Sequence, residues 1–140
     1  MSCMLRAYGE NFDVDTFLSD CDIEPIKVWH KGDLRFPSSQ PDGPRGTQSG
    51  INFEVSDADF AELSVQYTDA ELWFTEHQTF IQRLTQFPGV ERVVVDFGAE
   101  IHPPGWRSFN FPPNLQVLIG GLGVYLELSV YPVDDKSELT

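Results

Sequence analysis

The strongest constraint on the fold is an apolar helical pattern at 69–87 that ends abruptly and gives way to a run of β-branched residues. Large apolar side chains recur at helical spacing through this segment and predict one long amphipathic helix. They are Leu72, Trp73, Phe80, Ile81, Leu84 and Phe87. Pro88-Gly89 ends the helix, and the run Val93-Val94-Val95 that follows is typical of a buried strand at 90–97. We therefore expect at least one helix to pack against a sheet.

The segment before this helix alternates between apolar and polar residues. Ile51, Phe53 and Val55 share one face of a strand, and the same spacing continues after the turn residues 56–59 at Ala61, Leu63, Val65 and Tyr67. This period of two predicts a hairpin, and a short helix that starts near Asp57 is the alternative. Thr68 and Glu71 have the spacing of a capping box, so the long helix is expected to begin at 69.

The remaining elements are shorter. The patterns predict strands at 3–8, 26–29 and 124–131, a helix at 14–21 capped by Asp13, a helix opened by Pro112 and Pro113 and closed by Gly120-Gly121, and irregular loops at 36–50 and 98–111. This order predicts an α+β fold: a single domain over residues 1–132, with a mixed or antiparallel sheet of about six strands, one long helix and two short helices packed on it, and a polar tail at 133–140. A 140-residue chain that is 41% hydrophobic can bury one core of this size.

Several classes of protein are disfavoured by composition. No stretch approaches the roughly 20 apolar residues that span a bilayer, and the first residues lack the basic and apolar segments of a secretory signal. We therefore expect a cytoplasmic protein with no membrane partner. Cys3 and Cys21 are too few for a disulfide framework and are not spaced as a metal or redox pair, so free thiols are expected.

The stretch between Arg45 and Arg83 contains no Lys or Arg and holds seven carboxylates. They are Glu54, Asp57, Asp59, Glu62, Asp69, Glu71 and Glu76. A net charge of −13 creates a field that attracts cationic partners and repels polyanions. Because only nine residues are basic and the sequence shows no basic patch, nucleic acid is disfavoured as a partner. The alternative to a binding role is a solvated acidic face that maintains solubility.

No assembled catalytic, cofactor-binding or metal-binding motif is present, so no catalytic residue, cofactor or metal is expected. The three histidines, His30, His77 and His102, have no ligand-type spacing. The glycines at 120–123 precede a strand and not a helix, which argues against a phosphate-binding loop. His102 is the best functional candidate among the histidines, because it lies beside Trp106 and Arg107 in an irregular loop, where binding groups often occur.

Both ends of the chain resemble a known family. Residues 5–33 contain Tyr8-Gly9-Glu10, Ile23-Glu24-Pro25, Trp29 and Lys31-Gly32, and residues 121–132 read GLGVYLELSVYP. These motifs resemble the opening and closing segments of the bacterial family called domain of unknown function 4279. The resemblance implies a fold and no established chemistry. Many small bacterial proteins of this kind resemble immunity proteins, which neutralise a toxin by binding it.

Three functional hypotheses follow. The first is a non-enzymatic binding protein of the immunity or inhibitor type, which uses Glu54, Asp57, Asp59, Glu62, Asp69 and Glu71, with Trp106 as an aromatic contact, against a basic partner such as a toxin. The second is a small-molecule binder or enzyme with a pocket between the loops 36–50 and 98–111, lined by His102, Trp106 and Arg107. The third is a structural subunit of an oligomer. The sequence leaves the oligomeric state open.

Overall fold

A computed structural model of the chain describes residues 2–134, in which one open sheet carries helices on one face. The elements in chain order are β1 (Cys3–Gly9), α1 (Val14–Leu18), β2 (Lys27–Trp29), β3 (Ser49–Ser56), α2 (Leu63–Glu76), α3 (Gln78–Gln86), β4 (Arg92–Ile101), α4 (Pro113–Gly121) and β5 (Tyr125–Pro132). The α+β class is confirmed. Within the described residues the sheet has five strands and there are four helices, whereas about six strands and three helices were predicted.

The sheet is mixed, with the strand order β2-β3-β1-β4-β5. β1 lies in the centre and pairs antiparallel with β3 and β4, so that Leu5 lies opposite Phe53 on one side and Val95 on the other. β4 and β5 are parallel. Parallel neighbours need a crossover connection, and α4 lies in that connection.

The core lies between the helices and one face of the sheet. Alternate residues of the strands point into it, and Cys3, Leu5 and Ala7 of β1 are fully buried there. The helices supply Phe17, Phe74, Ile81, Leu84, Leu115 and Ile119, all buried in the same cluster. The side chains between these alternate positions point to the opposite face of the sheet, which we call the open face.

The predicted hairpin is wrong. After β3 the chain forms a loop and then α2, so Leu63, Val65 and Tyr67 are helical. The buried positions of α2 are Leu63, Gln66, Ala70 and Phe74, at helical spacing. The alternative prediction, a short helix that starts near Asp57, is closer, because a helix is present here, but it begins at Leu63.

The prediction of a single long helix is also wrong, because the helix is interrupted at His77, between α2 and α3. The backbone of His77 has φ −116° and ψ 28°, outside the α region. The capping box does not form. Thr68 lies inside α2, where its hydroxyl donates to the Ser64 carbonyl oxygen at 3.2 Å.

The other elements agree with the patterns more closely. Asp13 caps α1 by accepting a hydrogen bond from the Thr16 backbone N–H at 3.2 Å, although this helix ends at Leu18 and not at 21. β4 continues to Ile101, inside the segment that was expected to be a loop. Of the expected polar tail 133–140, residues 135–140 lie outside the described residues. None of the helices in residues 2–134 is long and apolar enough to cross a membrane.

Candidate functional site

The seven carboxylates of the acidic stretch do not share one face. Glu54 lies on the open face of the sheet, because it alternates with the buried Phe53 in β3. Three of the others, Asp57, Asp59 and Glu62, lie in the loop between β3 and α2, and the last three, Asp69, Glu71 and Glu76, lie on α2 itself. The sheet therefore separates Glu54 from the carboxylates of α2.

Local structure occupies two of these carboxylates. Asp69 accepts a hydrogen bond from the Ser56 hydroxyl at 2.6 Å, and Asp59 accepts one from the Ala61 backbone N–H at 2.9 Å. Six of the seven are exposed, and Asp69 is half-buried. Within residues 2–134, none of the seven takes part in an ion pair. Their charge is therefore not neutralised by basic side chains in the described part of the protein.

A stripe of α2 combines these charges with exposed apolar side chains. Its members recur every three or four residues, so they lie along one side of the helix. They are Glu62 at the N-cap, Val65, Asp69, Leu72 and Glu76, and we call them the acidic helix face. Val65 is 40% exposed and Leu72 is 59% exposed. An apolar pair flanked by carboxylates has the composition of a small protein-binding surface.

The loop after β4 brings two of the other candidates together. His102 Nε2 lies 3.2 Å from a carboxylate oxygen of Glu100, and Arg107 donates to the Glu100 backbone carbonyl oxygen at 3.3 Å. The Arg107 guanidinium also lies over the Phe109 ring. Trp106 is 80% exposed. Glu100 therefore ties His102 and Arg107 to the end of β4, whereas the Trp106 side chain lies in solvent.

A half-open cavity of about 830 Å³ lies on the open face of the sheet. Its floor comes from β1, β2 and β3, and its walls come from the segments 33–37 and 45–48. Backbone hydrogen bonds hold these two segments side by side, from Arg35 N–H to the Pro44 carbonyl and from Gly46 N–H to the Asp33 carbonyl. The loop 36–50 borders this cavity, but the loop 98–111, which the second hypothesis placed on its other side, contributes none of the lining residues. His102, Trp106 and Arg107 are not among the residues that line it.

The cavity gathers basic side chains from distant parts of the chain. Arg6, Lys27, Arg35 and Arg45 line it, which is four of the nine Lys and Arg residues of the protein. Asp33 is the single carboxylate among the lining residues. Folding therefore assembles a basic patch that the sequence does not show.

These cations differ in how they are held. Arg6 lies 3.4 Å from Asp96 and 3.7 Å from Glu127, and Arg45 donates to the Gly32 carbonyl oxygen at 2.7 Å. Neither Lys27 nor Arg35 forms an ion pair within residues 2–134. Each of them lies over an aromatic ring that also lines the cavity, Lys27 over Trp29 and Arg35 over Phe36.

His30 adds a titratable group at the edge of the cavity. Its Nε2 lies 3.0 Å from a carboxylate oxygen of Asp15, and Asp33 lies 3.7 Å from its Nδ1. The hydrogen bond to Asp15 and the charges of both carboxylates raise the pKa of His30 above its usual value. The histidine is therefore more readily protonated here than in an isolated peptide, and its charge then offsets part of the negative charge of the two carboxylates.

Asn52 forms part of the cavity floor, and its side-chain oxygen lacks a hydrogen-bond partner among residues 2–134. Its side chain points to the open face, since its neighbours Ile51 and Phe53 are buried in the core. The residue is only 8% exposed, and its buried Oδ1 has no hydrogen-bond partner in the described part of the chain. Buried polar groups nearly always have one, so this amide is an unusual feature of the floor.

The sequence patterns missed this cavity. Lys27 and Trp29 alternate along β2, and Arg35 and Arg45 flank the proline-rich loop, so the segment just before the acidic stretch is comparatively basic. This difference in charge between neighbouring segments was the indication of a basic site that the sequence offered. The contribution of Arg6, from β1, required knowledge of the strand order.

The thiols and potential metal ligands offer no further site. Cys3 and Cys21 are both free. Cys3 is fully buried, and burial raises its pKa far above the usual range, which makes it an unreactive core thiol. Among residues 2–134, no three His, Cys, Asp or Glu side chains are grouped so that they could hold a metal ion.

The fold and these two surfaces define an α+β protein with an acidic helix on one side of its sheet and a basic cavity on the other. Comparisons of the chain with models of protein families, with curated proteins and with solved structures found no match. What the protein binds is therefore inferred from its own geometry.

Proposed function

We propose that the protein is a non-enzymatic protein-binding module of the immunity or inhibitor type, whose acidic helix face and preceding loop bind a basic partner such as a bacterial toxin. The observation that carries the proposal is a row of carboxylates around two exposed apolar side chains on α2, none of which forms an ion pair within residues 2–134. The resemblance of both chain ends to the bacterial family named above adds support.

Charge favours a basic partner at this surface. Asp57, Asp59 and Glu62 follow one another closely before α2, and Glu71 and Glu76 continue the negative charge along the helix. Since no Lys or Arg lies between residues 46 and 82, the field of this segment is not cancelled locally. Such a field raises the rate of encounter with a cationic protein and disfavours acidic competitors.

The exposed apolar side chains provide the desolvated contact area that charged side chains do not. Interfaces derive much of their stability from a desolvated apolar centre surrounded by a polar rim. Val65 and Leu72 are seven residues apart on the same side of α2 and supply such a centre, with Glu62, Asp69 and Glu76 around them. In this arrangement Leu72 stabilises the complex and the carboxylates speed its formation.

The test begins by isolating a partner and ends with measured rates. The protein is used as bait in a bacterial lysate at low salt, the retained protein is identified by mass spectrometry, and association is then measured with purified components. Neutralising three carboxylates in Asp57→Asn/Asp59→Asn/Glu62→Gln should lower the association rate about tenfold at low salt. The difference should shrink at 1 M salt, where the Debye length falls to about 3 Å.

The matched control removes the same charge elsewhere. Asp22, Glu24 and Asp42 are exposed and lie outside α2 and its preceding loop. Their neutral variant, Asp22→Asn/Glu24→Gln/Asp42→Asn, should associate at nearly the wild-type rate. A partner whose binding is indifferent to salt and to the first triple variant would rule out the acidic surface. Equal losses in both variants would mean that net charge acts without a specific site.

A further inference from the structure

We propose that the cavity on the open face is a binding site for a small anion carried on a planar ring, the chemical class that includes nucleotides and aromatic polycarboxylates. The site is distinct from the acidic helix face, because the sheet lies between them. Its volume of about 830 Å³ lies within the usual range for small-molecule sites, roughly 300 to 1,000 Å³.

The distribution of charge determines the sign of the ligand. In a chain with a net charge of −13, Arg6, Lys27, Arg35 and Arg45 line one cavity against the single carboxylate of Asp33. Arg6 is balanced by Asp96 and Glu127, whereas Lys27, Arg35 and Arg45 have no ion-pair partner within residues 2–134. These three positive charges attract an anion and disfavour a cationic ligand.

Two of these cations are available to the ligand. Lys27 and Arg35 have no carboxylate partner in the described part of the chain. Arg45 uses Nη1 for the Gly32 carbonyl, and a guanidinium has further donors for an oxyanion. The ion pairs of Arg6 with Asp96 and Glu127 orient its side chain at the floor. Charge-assisted hydrogen bonds to phosphate or carboxylate oxygens are the strong contacts of such a site.

Lys27 and Arg35 each lie over an aromatic ring, which is why we assign a ring to the anion. The Lys27 Nζ lies 5.9 Å from the Trp29 ring centroid, and the Arg35 Cζ lies 5.8 Å from that of Phe36. A planar ligand can stack on either ring while its charged group reaches the neighbouring cation. Gly50 allows Trp29 to lie directly on the sheet, because a Cβ at that position would fall 2.0 Å from the indole.

Asn52 supplies the remaining interaction. Its Oδ1 lies at the floor of the cavity without a hydrogen-bond partner among residues 2–134. An N–H or O–H group of a ligand that reaches the floor would satisfy this acceptor. The expected ligand therefore combines an oxyanion, a flat ring and a hydrogen-bond donor.

Isothermal titration calorimetry of the full chain tests the site with defined probes. The ring-bearing anions are adenosine 5′-monophosphate and benzene-1,3,5-tricarboxylate, and adenosine and inorganic phosphate each lack one of the two features. We expect saturable one-to-one binding of at least one ring-bearing anion, and about tenfold or greater weakening for adenosine and phosphate. Binding of the monophosphate alone assigns a phosphate ligand, and binding of the tricarboxylate alone assigns a carboxylate ligand. Absence of saturable binding of both at millimolar concentration overturns the proposal.

Three variants locate the binding in the cavity. Arg35→Gln and Asn52→Asp should each weaken binding about tenfold, since one removes a charge-assisted contact and the other places a negative charge at the floor. Arg92→Gln removes the same charge as Arg35→Gln, but Arg92 stacks on Tyr125 and does not line the cavity. Equal affinity of Arg35→Gln and Arg92→Gln overturns the proposal. Urea unfolding of each variant verifies that it is folded. If Asn52→Asp does not fold, the comparison of Arg35→Gln with Arg92→Gln still tests the proposal.

Discussion

Replacing Gln66 by Met should destabilise the protein far more than the small change of shape suggests. Gln66 is fully buried in α2, and its amide bridges both backbone groups of Gly98 in β4. Its Nε2 donates to the Gly98 carbonyl oxygen at 2.8 Å, and its Oε1 accepts from the Gly98 N–H at 3.2 Å. β1 pairs with β4 only as far as Phe97, so the side chain of Gln66 replaces a strand at this point.

The expected loss follows chiefly from these two bonds, because the third one, from Nε2 to the Asp59 carbonyl oxygen at 3.2 Å, leaves an acceptor that still has the Glu62 N–H as a partner. Methionine has a similar length and is readily buried, so the variant leaves Gly98 with an unpaired buried N–H and C=O. An unsatisfied buried group costs about 1–3 kcal/mol, and we expect a total loss of about 3 kcal/mol in the free energy of unfolding. With an m-value of about 2 kcal/mol/M, the urea midpoint should fall by about 1.5 M.

Urea unfolding followed by circular dichroism measures this difference, with Gln82→Met as the matched control. Gln82 is exposed on α3, so the same substitution there should change the free energy of unfolding by no more than about 0.5 kcal/mol. If the two variants unfold at the same urea concentration, Gln66 does not hold Gly98. The bridge between α2 and β4 would then have no energetic importance.

Two further predictions concern the cavity side of the sheet. Gly50→Ala places a Cβ 2.0 Å from the Trp29 indole and should lower the free energy of unfolding by about 1–3 kcal/mol. In a Trp29→Ala background this loss should nearly vanish. A double-mutant cycle of the four proteins that shows no coupling energy would contradict the contact. The pKa of His30 is raised in the folded protein, so the protonated ring stabilises the fold. This contribution is fully present below the usual pKa of 6.5 and is lost as the pH rises through the pKa of His30 in the folded protein. Asp15→Asn should lower the pKa of His30 in an NMR titration and flatten the pH dependence of stability above 6.5, whereas an unchanged titration would show that Asp15 does not stabilise the protonated ring.

Local patterns predicted several elements correctly. The alternation of 3–8 gives β1, Asp13 caps α1, and the β-branched run at 93–95 lies within β4. α4 begins at Pro113 and ends at Gly121, as the flanking prolines and glycines indicated. In these segments local preference and tertiary packing agree.

The segment 61–67 shows why the remainder could not be predicted. Ala61, Leu63, Val65 and Tyr67 alternate as in a strand, yet Val65 is 40% exposed and Gln66 is fully buried. An isolated amide looks like a surface residue until a backbone partner is known. Gln66 finds that partner in Gly98, more than thirty residues away, so the helix is decided by a contact that no local window contains.

The sequence by itself determined the α+β class, the excess of negative charge and its concentration between Arg45 and Arg83. Only the tertiary structure decided how the charges are shared between the two sides of the sheet. The pairing of β3 with β1 and β2 brings Arg6, Lys27 and Asn52 into one row, and the loop after β2 adds Arg35 and Arg45. Net charge is a sum over residues and is independent of the fold, whereas a site depends on distances, which strand order and register set.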